Sequence, residues 1–379
     1  MSLTMSASQR RVLQLCHSHG APFADITQQW ARLFADTGWN VTTVYLTGNP
    51  DDEVMRASGG DKVIFFGFDS RDVRGLKLRA VWKLRQLQRA NGFVLAVAHR
   101  FKPVYTCCLA LDVPVIGVHH AYGDYRRLGR RLFASAFASR LALAGVSDAV
   151  RDDIRECLPN WPADRILTQY NHIDLAKLQA DLVARDEARR VLGLPDAAYI
   201  FGNVGRLHPD KDQATLIRAF ARLAPHGSLL AIAGRGGLEE SLKALARELG
   251  IAERVRFLGQ TPSMSRYFRA FDSFVLSSDH EPFGMVLLEA MAAEIPVIAS
   301  DCGGAREVVA AREWRFPLGA AEVLAERMHS VRELGPGQRA DLTAAQLTHL
   351  QAHFSQAAAQ RQFWAQPSVQ AWAGRLGTT

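Results

Sequence analysis

Glu281 and Glu289 are two carboxylates with seven residues between them, in the segment His280-Glu-Pro-Phe-Gly-Met-Val-Leu-Leu-Glu-Ala290. Pro282 and Gly284 suit a corner that opens a helix, and residues 285–293 form a run of strong helix formers. A helix N-terminus offers unbonded N–H groups and the positive end of the dipole, which suits an anionic ligand. Glu281 stands just ahead of that start. Glu289 lies inside the helix, where a carboxylate in an apolar stretch needs a partner or a task. Next comes Ile295-Pro-Val-Ile-Ala-Ser-Asp-Cys-Gly-Gly-Ala-Arg-Glu307, an apolar strand-like run followed by a glycine-rich turn that opens another helix. Taken alone, the two acids are compatible with a helix cap and a salt-bridged side chain. The flanking strand and turn argue for a ligand site.

On these residues the chain resembles the retaining GT-B glycosyltransferases, specifically the glycogen-synthase-like group called glycosyltransferase family 4. The resemblance implies that Glu281 orients the transferred sugar and that Glu289 accepts hydrogen bonds from a ribose. It places Phe283, Gly284, Met285 and Val286 along the bound donor, a nucleotide diphosphate sugar. A second matching segment is Gly205-Arg-Leu-His-Pro-Asp-Lys-Asp212. There the family carries an arginine and a lysine on the donor diphosphate, and Arg206 and Lys211 fit. Their task is to neutralise the charge that builds on the leaving diphosphate, Arg as a planar fork and Lys as a point charge. Gly234, in Ala231-Ile-Ala-Gly-Arg-Gly-Gly237, permits close backbone approach to a ligand. Gln260, with Thr261 and Met264, follows a strand whose loop lies by the base in the family.

In the first half, the run Val115-Ile-Gly-Val-His-His120 ends in two histidines. The family often has a strand-end histidine that reaches the transferred sugar; His119 matches by position, with His120 as the alternative. His99 ends the preceding strand and is a candidate for the acceptor cleft. The first strand leads into Cys16-His-Ser-His-Gly-Ala-Pro-Phe23, where the family usually has paired glycines and this chain has only Gly20. An acceptor role for His19, Gly20 or Phe23 is the expectation there. Asn171-His-Ile-Asp174 likewise replaces a commoner Asn-Gly pair, and the sequence diverges from the family beyond Val309.

The elements that would hold these residues are α/β throughout. Short apolar runs near residues 11–17, 41–46, 63–68, 94–98, 114–119 and 141–146 alternate with helical patterns. The alternation continues near 165–170, 199–205, 229–234, 255–258, 273–276 and 296–300. It predicts βαβ units on parallel sheets. The length of 379 residues predicts more than one domain. The fold that the resemblance implies is GT-B: two doubly wound, Rossmann-like domains facing a cleft. The N-terminal, acceptor-binding domain would span 1–175 and be joined by a final helix from within 355–379, with the nucleotide-sugar domain at 176–354.

Hydrophobic content of 48% and charged content of 22% fit a globular protein. No apolar run nears the ~20 residues that span a bilayer, and the polar start shows no secretory signal. Five cysteines without metal-ligand spacing suggest reduced thiols and a cytoplasmic setting, with no metal and no cofactor expected. Residues 1–140 hold 19 Lys/Arg against 10 Asp/Glu, whereas the remainder is slightly acidic. Arg126, Arg127, Arg130 and Arg131 lie beside a stripe of Leu128, Leu132, Phe133 and Phe137. That helix could dock on anionic lipid at the inner membrane face, or its apolar face could be core. Taken with the family resemblance, which implies the retaining mechanism, these features predict a metal-independent retaining transferase. Its acceptor would be a cell-envelope glycan precursor, lipopolysaccharide or another lipid-linked saccharide. The alternatives are a GT-B nucleotide-sugar 2-epimerase and a non-enzymatic polyanion binder. No nucleic-acid partner is expected, because no recognition motif or stacking aromatic interleaves the basic residues.

Overall fold

The computed structural model describes residues 10–20, 23–69, 71–223 and 227–377. It divides into two compact units, one of Met1–Asn171 with Gln356–Thr379, the other of His172–Ser355. Each is built on a parallel sheet.

The first unit contains β1 (Arg10–Cys16), β2 (Trp39–Thr47), β3 (Lys62–Phe68), β4 (Leu95–His99), β5 (Val115–His119), β6 (Leu141–Gly145) and β7 (Ile166–Thr168). They lie in the order β3-β2-β1-β4-β5-β6-β7. Every residue of β4, β5 and β6 is buried, as a sheet covered by helices on both faces requires. The second unit contains β8 (Tyr199–Val204), β9 (Ser228–Ala233), β10 (Val255–Gly259), β11 (Ser273–Leu276), β12 (Val297–Ser300) and β13 (Arg315–Phe316). Their order is β10-β9-β8-β11-β12-β13. The core of this unit gathers Phe201, Leu216, Phe220, Ile232, Val275, Ile298 and Met328. Two parallel, helix-connected sheets are what the expected architecture requires.

Two elements differ from expectation. The pair β13 is only two residues long, too short to show an alternating pattern. The expected single closing helix is two, Gln356–Ala365 and Pro367–Gly377. Pro367 accounts for the break: its ring clashes with the preceding turn and it has no N–H for the ladder, yet it suits a first helical position. This segment completes the core of the first unit. The Phe363 ring packs edge-on against Trp30 and Phe34, at 6.0 and 5.2 Å between centroids. Trp364 lies 5.7 Å from both Phe34 and Trp39, and its Nε1 donates to Leu33 O at 2.9 Å.

Phe363 is fully buried. Phe363→Ala should therefore cost about 3–5 kcal/mol of stability. Urea unfolding followed by tryptophan fluorescence will measure this, and a loss below about 1 kcal/mol would show that the segment merely lies on the surface.

Candidate functional site

In the second unit, β8 and β11 are neighbours whose chain directions of growth diverge: β9 and β10 extend one way, β12 and β13 the other. At such a reversal the loops leaving the strand ends part and leave a crevice. The loop after β8 carries Arg206 and Lys211, and the loop after β11 carries Glu281. The two are tied across the reversal, Lys211 Nζ donating to Glu281 Oε2 at 2.7 Å. Ser278 Oγ donates to the same oxygen at 3.1 Å. Ser277 Oγ holds Lys211 O at 2.9 Å, and Asp279 N donates to Asp210 O at 3.1 Å. The side chains of Lys211 and Glu281 are only 17% and 10% exposed, so this is a largely desolvated pair. Arg206 by contrast is 70% exposed and pairs with Asp210 at 3.3 Å. Sequence reasoning missed Asp210, Ser277 and Ser278, although the run Ser277-Ser278-Asp279 directly precedes the segment it singled out.

Gly284 caps the helix Met285–Ala292 at φ +99°, a conformation that favours glycine. Glu281 precedes that cap, and the half-buried Glu289 sits within the helix. The Phe283 ring is turned into the core against Phe354, at 5.6 Å between centroids, so a ligand would meet its backbone. Met285 and Val286 are partly exposed in the first turn. A Cβ on Gly304 would meet Pro282 O at 2.5 Å, which is why the next strand must end in a glycine turn. The third loop is equally tight. Gly234, at φ +141°, donates to Gly259 O at 2.8 Å, and a Cβ there would lie 1.8 Å from Gly205 O. The loops after β8, β9 and β10 thus pack backbone on backbone. Gln260 is exposed at the end of β10. The described structure therefore sets Arg206, Lys211, Gly234, Gln260, Glu281 and the start of the Met285–Ala292 helix along one edge of one sheet.

The first unit repeats the arrangement, with its reversal between β1 and β4. A cavity of about 480 Å³ opens there, lined by His17, Arg100, Phe101, Lys102, His120 and Asp124 among others. His119 does not line it. Its ring is fully buried, with Nδ1 on Asp124 at 2.7 Å and Nε2 within 3.1 Å of Tyr125 Oη, so both nitrogens are engaged within the protein. His120 is the strand-end ring that reaches the cavity. His99 is buried behind it, Nδ1 to His120 Nε2 at 3.1 Å, with Trp30 edge-on. Burial first, and then the nearby His119, push His99 down to about 3, so its ring is neutral at ordinary pH. His19 packs against Tyr45 and Phe65, and Gly20 is exposed beyond it. The Phe23 side chain lies outside the described residues.

Family models match both units. Residues 184–346 match the model described as glycosyl transferases group 1, and residues 26–177 match that of glycosyltransferase family 4. Each unit thus resembles a glycosyltransferase domain over most of its length. Over 169 residues the chain is 34% identical to an uncharacterized glycosyltransferase of Methanocaldococcus jannaschii, 43% of either chain. It is 39% identical over 123 residues to the lipopolysaccharide core biosynthesis glycosyltransferase LpsE of Rhizobium meliloti, 32% of this chain and 35% of that one. The matches thus span less than half the length of these relatives. A glycosyltransferase structure from Rickettsia africae superposes with a TM-score of 0.83 at 15% identity, over 98% of this chain and all of the other. Anabaena HepE in complex with UDP and glucose superposes at 0.73 with 21% identity, over 97% and 99%. The GT-B architecture is common to all of these structures.

The glycine contacts make a sharp expectation. Gly234→Ala places a methyl group on Gly205 O at a φ that side chains rarely adopt, and should yield little folded protein or a much lowered Tm. Gly237→Ala, where an added Cβ meets nothing within 4 Å, should stay within about 0.5 kcal/mol of wild type. Thermal unfolding of both variants checks the pair.

Proposed function

We propose that this chain transfers a sugar, with retention of configuration, from a nucleotide diphosphate sugar to a hydroxyl of a glycan acceptor. The observation that carries the reading is the Lys211–Glu281 pair at the sheet reversal, with the free end of the Met285–Ala292 helix beside it. The complex of UDP and glucose with a protein of the same fold supports it.

In this reading the donor diphosphate lies over the loop after β8. Lys211 exchanges its contact with Glu281 for a phosphate oxygen, and Arg206 swings from Asp210 to another. Both cations, with the helix N-terminus, stabilise the charge on the departing diphosphate without a metal ion. Glu281, released from Lys211 but still held by Ser278, orients the sugar; Glu289 takes the ribose hydroxyls. The acceptor hydroxyl attacks from the face that the diphosphate leaves, and its proton passes to a donor phosphate oxygen. One bond from the anomeric carbon to phosphate oxygen breaks as one to the acceptor oxygen forms.

Arg206 is exposed, so Arg206→Ala leaves the fold intact and tests the site cleanly. A nucleoside diphosphate at ~100 times its Kd should stabilise the wild type by about 2.7 kcal/mol. The Arg206→Ala variant should lose most of that shift and about 10²-fold of the transfer rate. Thermal scans with UDP, GDP, ADP and CMP identify the base; no shift with any of them would sink the transferase reading. Release of free sugar product with no acceptor requirement would point to the epimerase instead.

The acceptor in this reading is a cell-envelope glycan precursor presented at the inner membrane face, supported by the LpsE likeness and by the surface of the first unit. Leu128 and Leu132 of the helix Leu128–Ala136 are 60% and 63% exposed rather than core. Arg126 and Arg127 are exposed beside them, whereas Arg130 turns inward onto Asp124 and Arg131 is half-buried. A second exposed apolar group, Leu76, Leu78 and Trp82, is linked to the first through stacked rings. Lys77 Nζ lies 4.3 Å from the Tyr105 ring, which stacks on Phe133 at 4.8 Å. Exposed leucines and a tryptophan set among arginines suit the interface of an anionic bilayer. Among the described residues no helix is long and apolar enough to cross a membrane, so contact would be peripheral. Vesicles containing anionic lipid should sediment the protein in a salt-sensitive manner. Trp82→Ser with Leu128→Ser should abolish that binding without lowering Tm; undiminished binding would remove this surface from consideration.

A further inference from the structure

We propose that Asp210 is a positioning residue that competes with the donor diphosphate for Arg206 and so sets how tightly a nucleoside diphosphate is held; the proposal rests on the transferase reading above. Each of the two loop cations is held by a carboxylate of the protein. Lys211 Nζ lies on Glu281 Oε2 at 2.7 Å, and Arg206 Nη2 lies on Asp210 Oδ2 at 3.3 Å. A diphosphate must take both cations from these internal anions, so each carboxylate is a competitor of the ligand.

The two carboxylates differ in what a ligand returns to them. In that reading Glu281 exchanges Lys211 for hydroxyls of the sugar and keeps Ser278 Oγ at 3.1 Å. Asp210 receives nothing from a diphosphate, because both are anions. Among the described residues its carboxylate has one other partner, His208 Nδ1, at 2.5 Å from Oδ1. An ionised carboxylate only accepts, so Nδ1 carries the proton and a neutral His208 suffices as donor. Release of Arg206 therefore leaves Asp210 with its charge and a single hydrogen bond. Direct repulsion between the two anions is screened by water and salt, so competition for the guanidinium is the larger effect.

The loop does not let Asp210 retreat. Its carbonyl oxygen accepts from Asp279 N at 3.1 Å, which fastens it to the loop after β11. Pro209 precedes it. Asp212 follows at φ +40°, where its Oδ1 accepts from Thr215 N at 3.2 Å and starts the next helix. Arg206 is anchored in turn through its carbonyl oxygen, which accepts from the buried Gln213 Nε2 and from His208 N, both at 3.0 Å. The backbone is thus fixed at both ends of the Arg206–Asp210 pair, and the arginine side chain, 70% exposed, is the part that swings. An ion pair with one partner so exposed contributes little to stability, so its effect is felt by the ligand that must break it. After transfer the same competition recovers Arg206 and loosens the departing nucleoside diphosphate.

UDP, GDP and ADP are the probes, titrated calorimetrically into the full chain at constant ionic strength. The chains compared are wild type, Asp210→Asn, Arg206→Ala and the double variant. Asparagine keeps the shape of the side chain and an acceptor for His208, so Asp210→Asn should leave Tm unchanged. It should tighten whichever nucleoside diphosphate the wild type binds by about fivefold. In the Arg206→Ala background the same change should alter affinity by less than about twofold, since Asp210 acts through Arg206. Weaker binding together with a lowered Tm would make Asp210 an anchor of the loop and overturn the proposal. Unchanged binding, or equal tightening with and without Arg206, would overturn it as well. Where the wild type binds a nucleoside diphosphate and Arg206→Ala weakens it, such a failure leaves the transferase reading intact. Absence of binding by all three nucleotides would sink that reading and this proposal together.

Discussion

Parallel pairing is the constraint from which the rest follows. A parallel strand cannot turn directly into its neighbour, so each connection crosses over through a helix and every strand end emerges on the same edge. Loops of distant sequence are thereby forced side by side. Residues 206–211 and 281 meet because β8 and β11 are hydrogen-bonded neighbours in a parallel sheet, with Ser273 opposite Phe201. The chemistry of the site is a property of sheet order before it is a property of any side chain.

In the proposed reading, the Lys211–Glu281 pair is what keeps the site ready. A desolvated ion pair adds little net stability, because the cost of removing two charges from water offsets their attraction. Removing one partner is expensive, about 3–5 kcal/mol, since the other is left charged and buried. The pair is therefore cheap to exchange for a ligand's charges and costly to lose. Closely packed glycine loops beneath it hold its position, with Gly234 against Gly205 and Gly304 against Pro282.

Much of this arrangement was legible in the residue order. Apolar runs separated by helical patterns marked every strand of both sheets except the two-residue β13, and the acid spacing, Arg206, Lys211 and Gly234 drew attention to the edge where they lie. What stayed hidden depended on geometry that residue type does not encode. His119 and His120 are identical in sequence terms, yet strand alternation sends one into the protein and lets the next line the cavity. The left-handed turn at Arg100 is invisible in a residue that rarely adopts it. Leu128 and Leu132 fit a core-facing stripe, but the Ala134 position faces inward and they do not. Pro367 was the one visible signal that the closing helix must break.

The return of the chain to its first unit bears on how the protein is born. Phe363 and Trp364 fill the space between Trp30, Phe34 and Trp39, which leave the ribosome more than three hundred residues earlier. Until then that aromatic surface has no native cover, while residues 172–355 already contain a whole sheet of their own. The unit begun first is the last to be finished, so during synthesis its open face is the natural client for a chaperone.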